Sequence, residues 1–197
     1  MDPPRATPPA HLPPLGAVLA GGAATRLGGA KATAELAGRP LIHYSLEALA
    51  QAGMDAIVVA KEDTTLPHLA AEIITEPSQP RHPLAGVVAA LNHAHPRPVV
   101  TLPCDAPFVS PMLLRVLASA SSATAVRSAG RTHPLIALYM LANLERLEQA
   151  VTAGQSATEA LESLDPAYME APESETFNVN TPQDLARAEK ILRQPRS

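Results

Sequence analysis

The segment "AVLAGGAATRLGGAK" (17–31) runs from an apolar stretch through two glycine pairs to two fixed cations, Arg26 and Lys31. Gly21 and Gly22 admit positive φ and let backbone N–H groups approach a ligand closely. Rows of such donors form an anion nest. Arginine adds a bidentate fork for phosphate and lysine a mobile point charge. The pattern is not a P-loop, because no Gly-Lys-Ser/Thr follows the glycines. Basic residues also stand where a dinucleotide fingerprint needs a helix packed on its strand. Two readings remain for this stretch alone: a phosphate-binding loop, or a surface turn that carries two cations.

Two later segments hold chemistry of a related kind. In "LPCDAPFV" (102–109), Asp105 ends an apolar run and sits between Pro103 and Pro107. A carboxylate so placed can hold Mg²⁺, which takes few protein oxygens and keeps phosphates and water as its other ligands. An Asp in a proline-rich turn can equally bond its own backbone. Cys104 reads as a small packed hydrophobe with no activating neighbour. In "FNVNTP" (177–182), Asn178 and Asn180 alternate with Phe177 and Val179 and so share one face of an expected strand end. Their amides can hold a metal-bound water or a phosphate oxygen. Thr181 is placed to cap a helix that opens at Pro182. His82, Arg131 and His133 are candidates to orient an acceptor phosphate, and loop packing is an equal reading for the two histidines, each of which precedes a proline.

These residues need elements to position them, and the sequence alternates. Apolar runs predict strands at 15–20, 55–60, 73–76 and 98–108, the last running into a loop. Helical spacing predicts helices over 39–53, with Gly53 at its end, and over 83–94. A third, 110–120, is opened by Ser110 and Pro111. A helix-like pattern also covers 64–72. Residues 123–140 read as two strands about a glycine turn, 141–154 as a helix, and 176–194 as strand, cap and helix. Strands separated by helices of this length form βαβ units and a parallel sheet, an α/β architecture. Ligands in such sheets bind beyond the carboxyl ends of the strands, where the glycine loop falls.

The chain's 197 residues suit one domain, 15–197, behind a tail of 1–14 with prolines at 3, 4, 8, 9, 13 and 14 that reads as disordered. With 46% hydrophobic and 17% charged residues it can bury a substantial core. Aromatics at 3%, no Trp and a net charge of −4 leave neither stacking platform nor basic footprint, which excludes a nucleic-acid partner. A single Cys makes neither an intramolecular disulfide nor a cysteine zinc site, and fits a reducing compartment. No signal-like h-region or membrane-length apolar run occurs. A soluble cytoplasmic protein with no membrane association is the expectation.

"LAGGAATRLGGAK", "HPLAG", "PCDAPF", "RTHPLIALY" and "FNVNTPQDL" follow one another over residues 15–192. In this order they resemble the nucleotidyltransferases that build dinucleotide cofactors, and among them the molybdenum cofactor guanylyltransferases. The resemblance implies a three-layer Rossmann-like fold with a mostly parallel central sheet. It implies a Mg²⁺-dependent transfer of GMP from GTP to the terminal phosphate of molybdopterin, with release of pyrophosphate. By the same resemblance Leu19, Ala20, Gly21, Gly22, Glu76 and Gly86 hold the nucleotide, with Arg26 and Lys31 as phosphate cations. Asp105 takes the metal, and Arg131, His133, Asn178 and Asn180 face the acceptor. Transient contact with molybdoenzyme maturation proteins is a further implication. Many relatives carry an Asp directly before the motif Lys, where Ala30 stands here in a loop one residue shorter, and Glu76 replaces a shorter acid. Both departures bear on base preference. A CTP-dependent enzyme on the same pterin, a transferase for another small phosphorylated acceptor and a non-catalytic cofactor-delivery module are the alternatives. Arg26, Lys31 and Asp105 together favour an enzyme.

Overall fold

The structure, a computed structural model, describes residues 12–21 and 31–193. β1 (Leu15–Leu19) lies at the middle of the parallel half of the sheet. A two-residue ribbon, β2 (Glu35–Leu36) and β3 (Arg39–Pro40), turns through Ala37 and Gly38, both at positive φ, into α1 (Leu41–Gln51). The chain continues through β4 (Ala56–Ala60), β5 (Glu72–Thr75), α2 (Ala85–Ala94), β6 (Val99–Pro103) and α3 (Pro111–Ala118). Next come β7 (Thr124–Ser128) and β8 (Arg131–Tyr139), joined by Ala129 and Gly130. Both joining residues have positive φ, as a two-residue hairpin of type I′ requires. A single 3₁₀ turn (Leu141–Asn143), α4 (Leu144–Ala153), α5 (Ala157–Glu162), β9 (Ala167–Glu170) and α6 (Pro182–Arg193) complete it.

Seven strands form one sheet in the order β5-β4-β1-β6-β8-β7-β9. β5, β4, β1 and β6 run parallel; β8 enters antiparallel to β6 and to β7, and β9 lies parallel to β7. The expected mostly parallel α/β sheet is present, with an antiparallel insertion. Alternate residues of each buried strand face opposite layers. Val18, Val58, Val100 and Leu138 pack against α1 and α3, whereas Ala17, Ile57, Val99 and Ala137 pack against α2, α4 and α5. α6 covers the β2–β3 ribbon through a smaller cluster of Leu36, Leu41, Val179 and Ala188. The result is a three-layer α/β/α sandwich.

Two expectations are corrected. Residues 64–72 form no helix. Pro67 sits inside that pattern, and a proline there removes a helical hydrogen bond and clashes with the preceding turn. Leu66 and Leu69, the source of the helical spacing, instead pack irregular backbone against the core edge. Residues 177–181 are irregular and pair with no strand. The Val179 N–H donates to the Asp105 carbonyl at 2.9 Å, a single tie where a ladder was expected. α5 and β9 were not anticipated.

Candidate active site

The carboxyl ends of β1, β4 and β6 open onto a cleft of about 660 Å³. Its floor is fixed by main-chain bonds: Ala20 N–H donates to the Val59 carbonyl at 2.8 Å, and Cys104 N–H to the Leu19 carbonyl at 3.1 Å. Ser45 on α1 donates to the Pro103 carbonyl at 3.0 Å and seats that helix under the end of β6. Leu19, Ala20, Gly21, Lys31, Glu76, Asp105, Arg131, His133, Asn178 and Asn180 all line this cleft. Lys31 and Asn180, 149 positions apart, are thereby brought together. Gly22, Arg26 and Ala30 lie outside the described residues.

At the centre stands a charged cluster. The Lys31 ammonium donates to Asp105 Oδ2 at 2.7 Å and to Asn180 Oδ1 at 2.5 Å. Asp105 is only 4% exposed, so this ion pair is held largely out of water. A lysine ammonium has three protons, and the two bonds leave one for a third acceptor. Asn178 Oδ1 is buried without a hydrogen-bond partner among the described residues. An orphaned carbonyl oxygen of this kind costs free energy unless a ligand satisfies it. With the Asp105 carboxylate in the same cleft it offers hard oxygen donors, which fit a Mg²⁺-like cation. No group of three or more His, Cys, Asp or Glu that could hold a metal occurs among the described residues. Cys104 takes no part: burial pushes its thiol up to about 12, which removes thiolate character.

Glu76 is held by two glycines. A Cβ on Gly21 would lie 1.9 Å from Glu76 Oε1, and one on Gly86 would lie 2.7 Å from Oε2. Gly86 therefore sits behind the carboxylate, at the start of α2. Glu76 is 7% exposed, and burial raises its pKa, partly offset by Lys61. Lys61 and Arg81 also line the cleft and were missed in the sequence. Lys61 had a signal, since it directly follows β4 and so stands at a strand's carboxyl end. Arg81 is surrounded by prolines at 80 and 83 and had none.

The two histidines differ. His82 Nδ1 accepts from the Leu84 N–H at 3.1 Å, so Nε2 carries the proton and donates to the Gln155 carbonyl. Nδ1 fixes the ring within the loop before α2 and Nε2 ties that loop to the one before α5, which makes His82 a packing residue. His133 has one ring nitrogen, Nε2, bonded to Ser128 Oγ at 2.8 Å. Its pKa is lowered by burial and then by Arg131, which keeps the ring neutral.

Asn180 is placed by the start of α6. Asp184 Oδ2 accepts from the Asn180 and Thr181 N–H groups and from the Thr181 hydroxyl, while Asp184 N–H donates back to Thr181 Oγ1. Burial alone would raise the Asp184 pKa, but these bonds outweigh it and hold the carboxyl low. Thr181 thus caps the helix as expected. Replacing Asp184 with Ala is expected to cost about 1 kcal/mol, seen as a drop of about 2–4 °C in Tm.

Gly21 just past β1, a lysine paired with a buried aspartate and an orphaned amide at the ends of parallel strands define the class: this is a nucleotidyltransferase site. The chain belongs to the MobA-like NTP transferase domain family, which matches residues 16–167. A molybdenum cofactor guanylyltransferase from Cereibacter sphaeroides is 35% identical over 188 residues, covering 91% of this chain and 97% of its own. The crystal structure of molybdopterin-guanine dinucleotide biosynthesis protein A from Archaeoglobus fulgidus is 28% identical with a TM-score of 0.73, covering 90% of this chain and 97% of that one. A Mycobacterium tuberculosis protein solved as a complex with manganese has a TM-score of 0.70 over 91% of this chain and 99% of that one. At 17% identity it shows the fold alone. No helix among the described residues is long and apolar enough to cross a membrane.

Proposed function

We propose that this enzyme transfers GMP from GTP to the terminal phosphate of molybdopterin or its molybdenum-loaded form, releasing pyrophosphate. An acceptor phosphate oxygen attacks the α-phosphorus; the bond from that phosphorus to the bridging oxygen breaks, and the electron pair leaves on pyrophosphate. The attacking oxygen is already anionic, so no general base is required. The observation that carries the reading is the Lys31–Asp105–Asn180 cluster at the carboxyl ends of the parallel strands.

In this reading the third Lys31 proton meets a phosphate oxygen, and Lys61 and Arg81 add charge along the same wall. Arg26 is assigned to the phosphates on the sequence resemblance alone. Asp105 and Asn178 are the residues that would hold Mg²⁺, which when bound supplies Lewis-acid stabilisation of the charge on the α-phosphate and leaving group. The Leu19–Gly21 backbone lies against the nucleotide, and Gly22 is assigned there on the sequence resemblance alone. Glu76 accepts from the adjacent N1–H and N2–H donors of guanine; cytosine presents acceptors at the equivalent positions, so the carboxylate favours GTP. Arg131, His133, Asn178 and Asn180 receive the acceptor. The single buried cysteine suits a cytoplasmic setting.

The test is pyrophosphate release with Mg²⁺ and molybdopterin, with GTP and CTP offered separately. Turnover with GTP at least 10²-fold above that with CTP is expected, about what one mispaired buried carboxylate costs. Preference for CTP would reassign the base pocket, and folded protein inert with both would remove molybdopterin as the acceptor.

A further inference from the structure

His133 ends a hydrogen-bond chain that none of the assigned roles uses. The β7–β8 register sets Val126 opposite His133 and Ser128 opposite Arg131, so Ser128 and His133 are diagonal neighbours on one face. Ser128 Oγ lies 2.8 Å from His133 Nε2 and 2.7 Å from Thr176 Oγ1, and Thr176 Oγ1 reaches the Glu173 carbonyl at 3.4 Å. Ser128 and Thr176 are 3% and 5% exposed, so water does not compete for these hydroxyls.

The two short bonds can run either way, and the Glu173 carbonyl at the far end selects one polarity. A carbonyl oxygen only accepts, so the Thr176 hydroxyl donates to Glu173. Thr176 Oγ1 then accepts from the Ser128 hydroxyl, and Ser128 Oγ accepts from His133 Nε2–H. The neutral ring is thereby fixed with its proton on Nε2 and a bare lone pair on Nδ1, and no described residue bonds Nδ1. A bare lone pair repels a phosphate oxygen and attracts an N–H or O–H.

We propose that Ser128 and Thr176 are positioning residues that hold His133 as a hydrogen-bond acceptor in the cleft, where it reads an N–H or O–H donor on the acceptor molecule rather than its phosphate. This rests on the acceptor-side reading given above. Phosphate charge falls to the neighbouring Arg131, and His133 supplies discrimination by hydrogen-bond pattern. A mismatched acceptor leaves a lone pair unsatisfied.

The test combines a spectroscopic and a kinetic readout. Nitrogen-15 NMR of histidine-labelled protein reports which His133 nitrogen carries the proton, without any substrate. Proton on Nε2 in the wild type is expected, with the preference lost in Ser128→Ala. Thr176→Val is expected to weaken it, and Thr176→Ser, which keeps the hydroxyl, to retain it. In steady-state assays Ser128→Ala is expected to raise KM for molybdopterin about 5- to 10-fold, the range of one lost neutral hydrogen bond, with KM for GTP unchanged. A wild-type proton on Nδ1 overturns the proposal, as does an unchanged molybdopterin KM in Ser128→Ala and His133→Ala alike. Wild-type protein that holds the proton on Nε2 yet turns over no molybdopterin would refute the acceptor reading and leave the hydroxyl chain standing.

Discussion

Lys31→Ala is expected to reduce turnover by about 10²- to 10³-fold, the usual cost of removing one preorganised charge at a developing oxyanion. The same change should lower stability by about 3 kcal/mol, because Asp105, 4% exposed, is left as an uncompensated buried charge. The two losses have different causes and can be separated. In the double variant Lys31→Met/Asp105→Asn neither charge remains, and an unpaired buried ion no longer opposes folding. Urea unfolding should show most of the lost stability recovered, while single-turnover consumption of GTP stays as low as in Lys31→Ala. Asp105 is itself assigned to the metal, so the role of Lys31 in turnover is read from the single variant: near-wild-type turnover by folded Lys31→Ala would mean that Lys31 acts only through folding. The Asn180 contact sharpens the case, since the ammonium is held at 2.5 Å from a second residue and is therefore aimed rather than merely present.

Glu76→Gln is expected to lower kcat/KM for GTP by about 10- to 100-fold, the worth of a hydrogen bond to a charged group. It should also narrow the preference over CTP. Its effect on stability runs the other way. Burial raises the folded-state pKa of Glu76 above that of the unfolded chain. In the window between the two values the folded state binds more protons, so this residue's contribution to stability falls as pH rises through it. Above that window the wild type carries the cost of a buried charge, and the glutamine variant has no charge to bury. Tm should therefore rise in Glu76→Gln at pH 7, by about 2–4 °C for each kcal/mol relieved, and the gain should shrink toward pH 4. Gly21→Ala, whose Cβ would sit 1.9 Å from Glu76 Oε1, should lower both GTP use and Tm. A buried carboxylate retained against folding stability is the kind of exchange that binding sites make.

The elements that read well from sequence are those in which local chemistry and tertiary position agree. β1, β4 and β6 are apolar because they are covered on both faces, and α3 begins where Ser110 accepts from the Leu113 N–H. Gly53 and Gly154, both at positive φ, end α1 and α4 where expected. α5 carried a legible signal that went unused: Ser156 and Glu159 form a reciprocal capping box, visible as "SATE". Over 64–72 the helical spacing of Leu66 and Leu69 is overridden by Pro67. β9 is four residues with both ends exposed, and its pairing with β7 is a tertiary fact that no local pattern encodes.

The site was legible by residue type and illegible by contact. Asp105, Lys31 and Asn180 could each be singled out, yet nothing local says that one ammonium bonds both oxygens across separations of 74 and 149 residues. The same holds for Glu76, whose packing between Gly21 and Gly86 joins three separate segments. His82 and His133 look alike in sequence, each before a proline, and only their partners tell a strut from a reader.

The antiparallel entry of β8 divides the site's assigned roles as well as the sheet. Every described residue assigned to the nucleotide lies at or before Asp105, on the parallel half, and those assigned to the acceptor alone lie at or after Arg131. A lineage could therefore exchange its acceptor by rewriting the second half of the coding sequence while the first drifts little. Ties at the site itself that would have to survive any such recombination include Lys31 to Asn180, and the Val179 N–H to the Asp105 carbonyl. They are the joinery by which a general nucleotide half accepts a new specificity half.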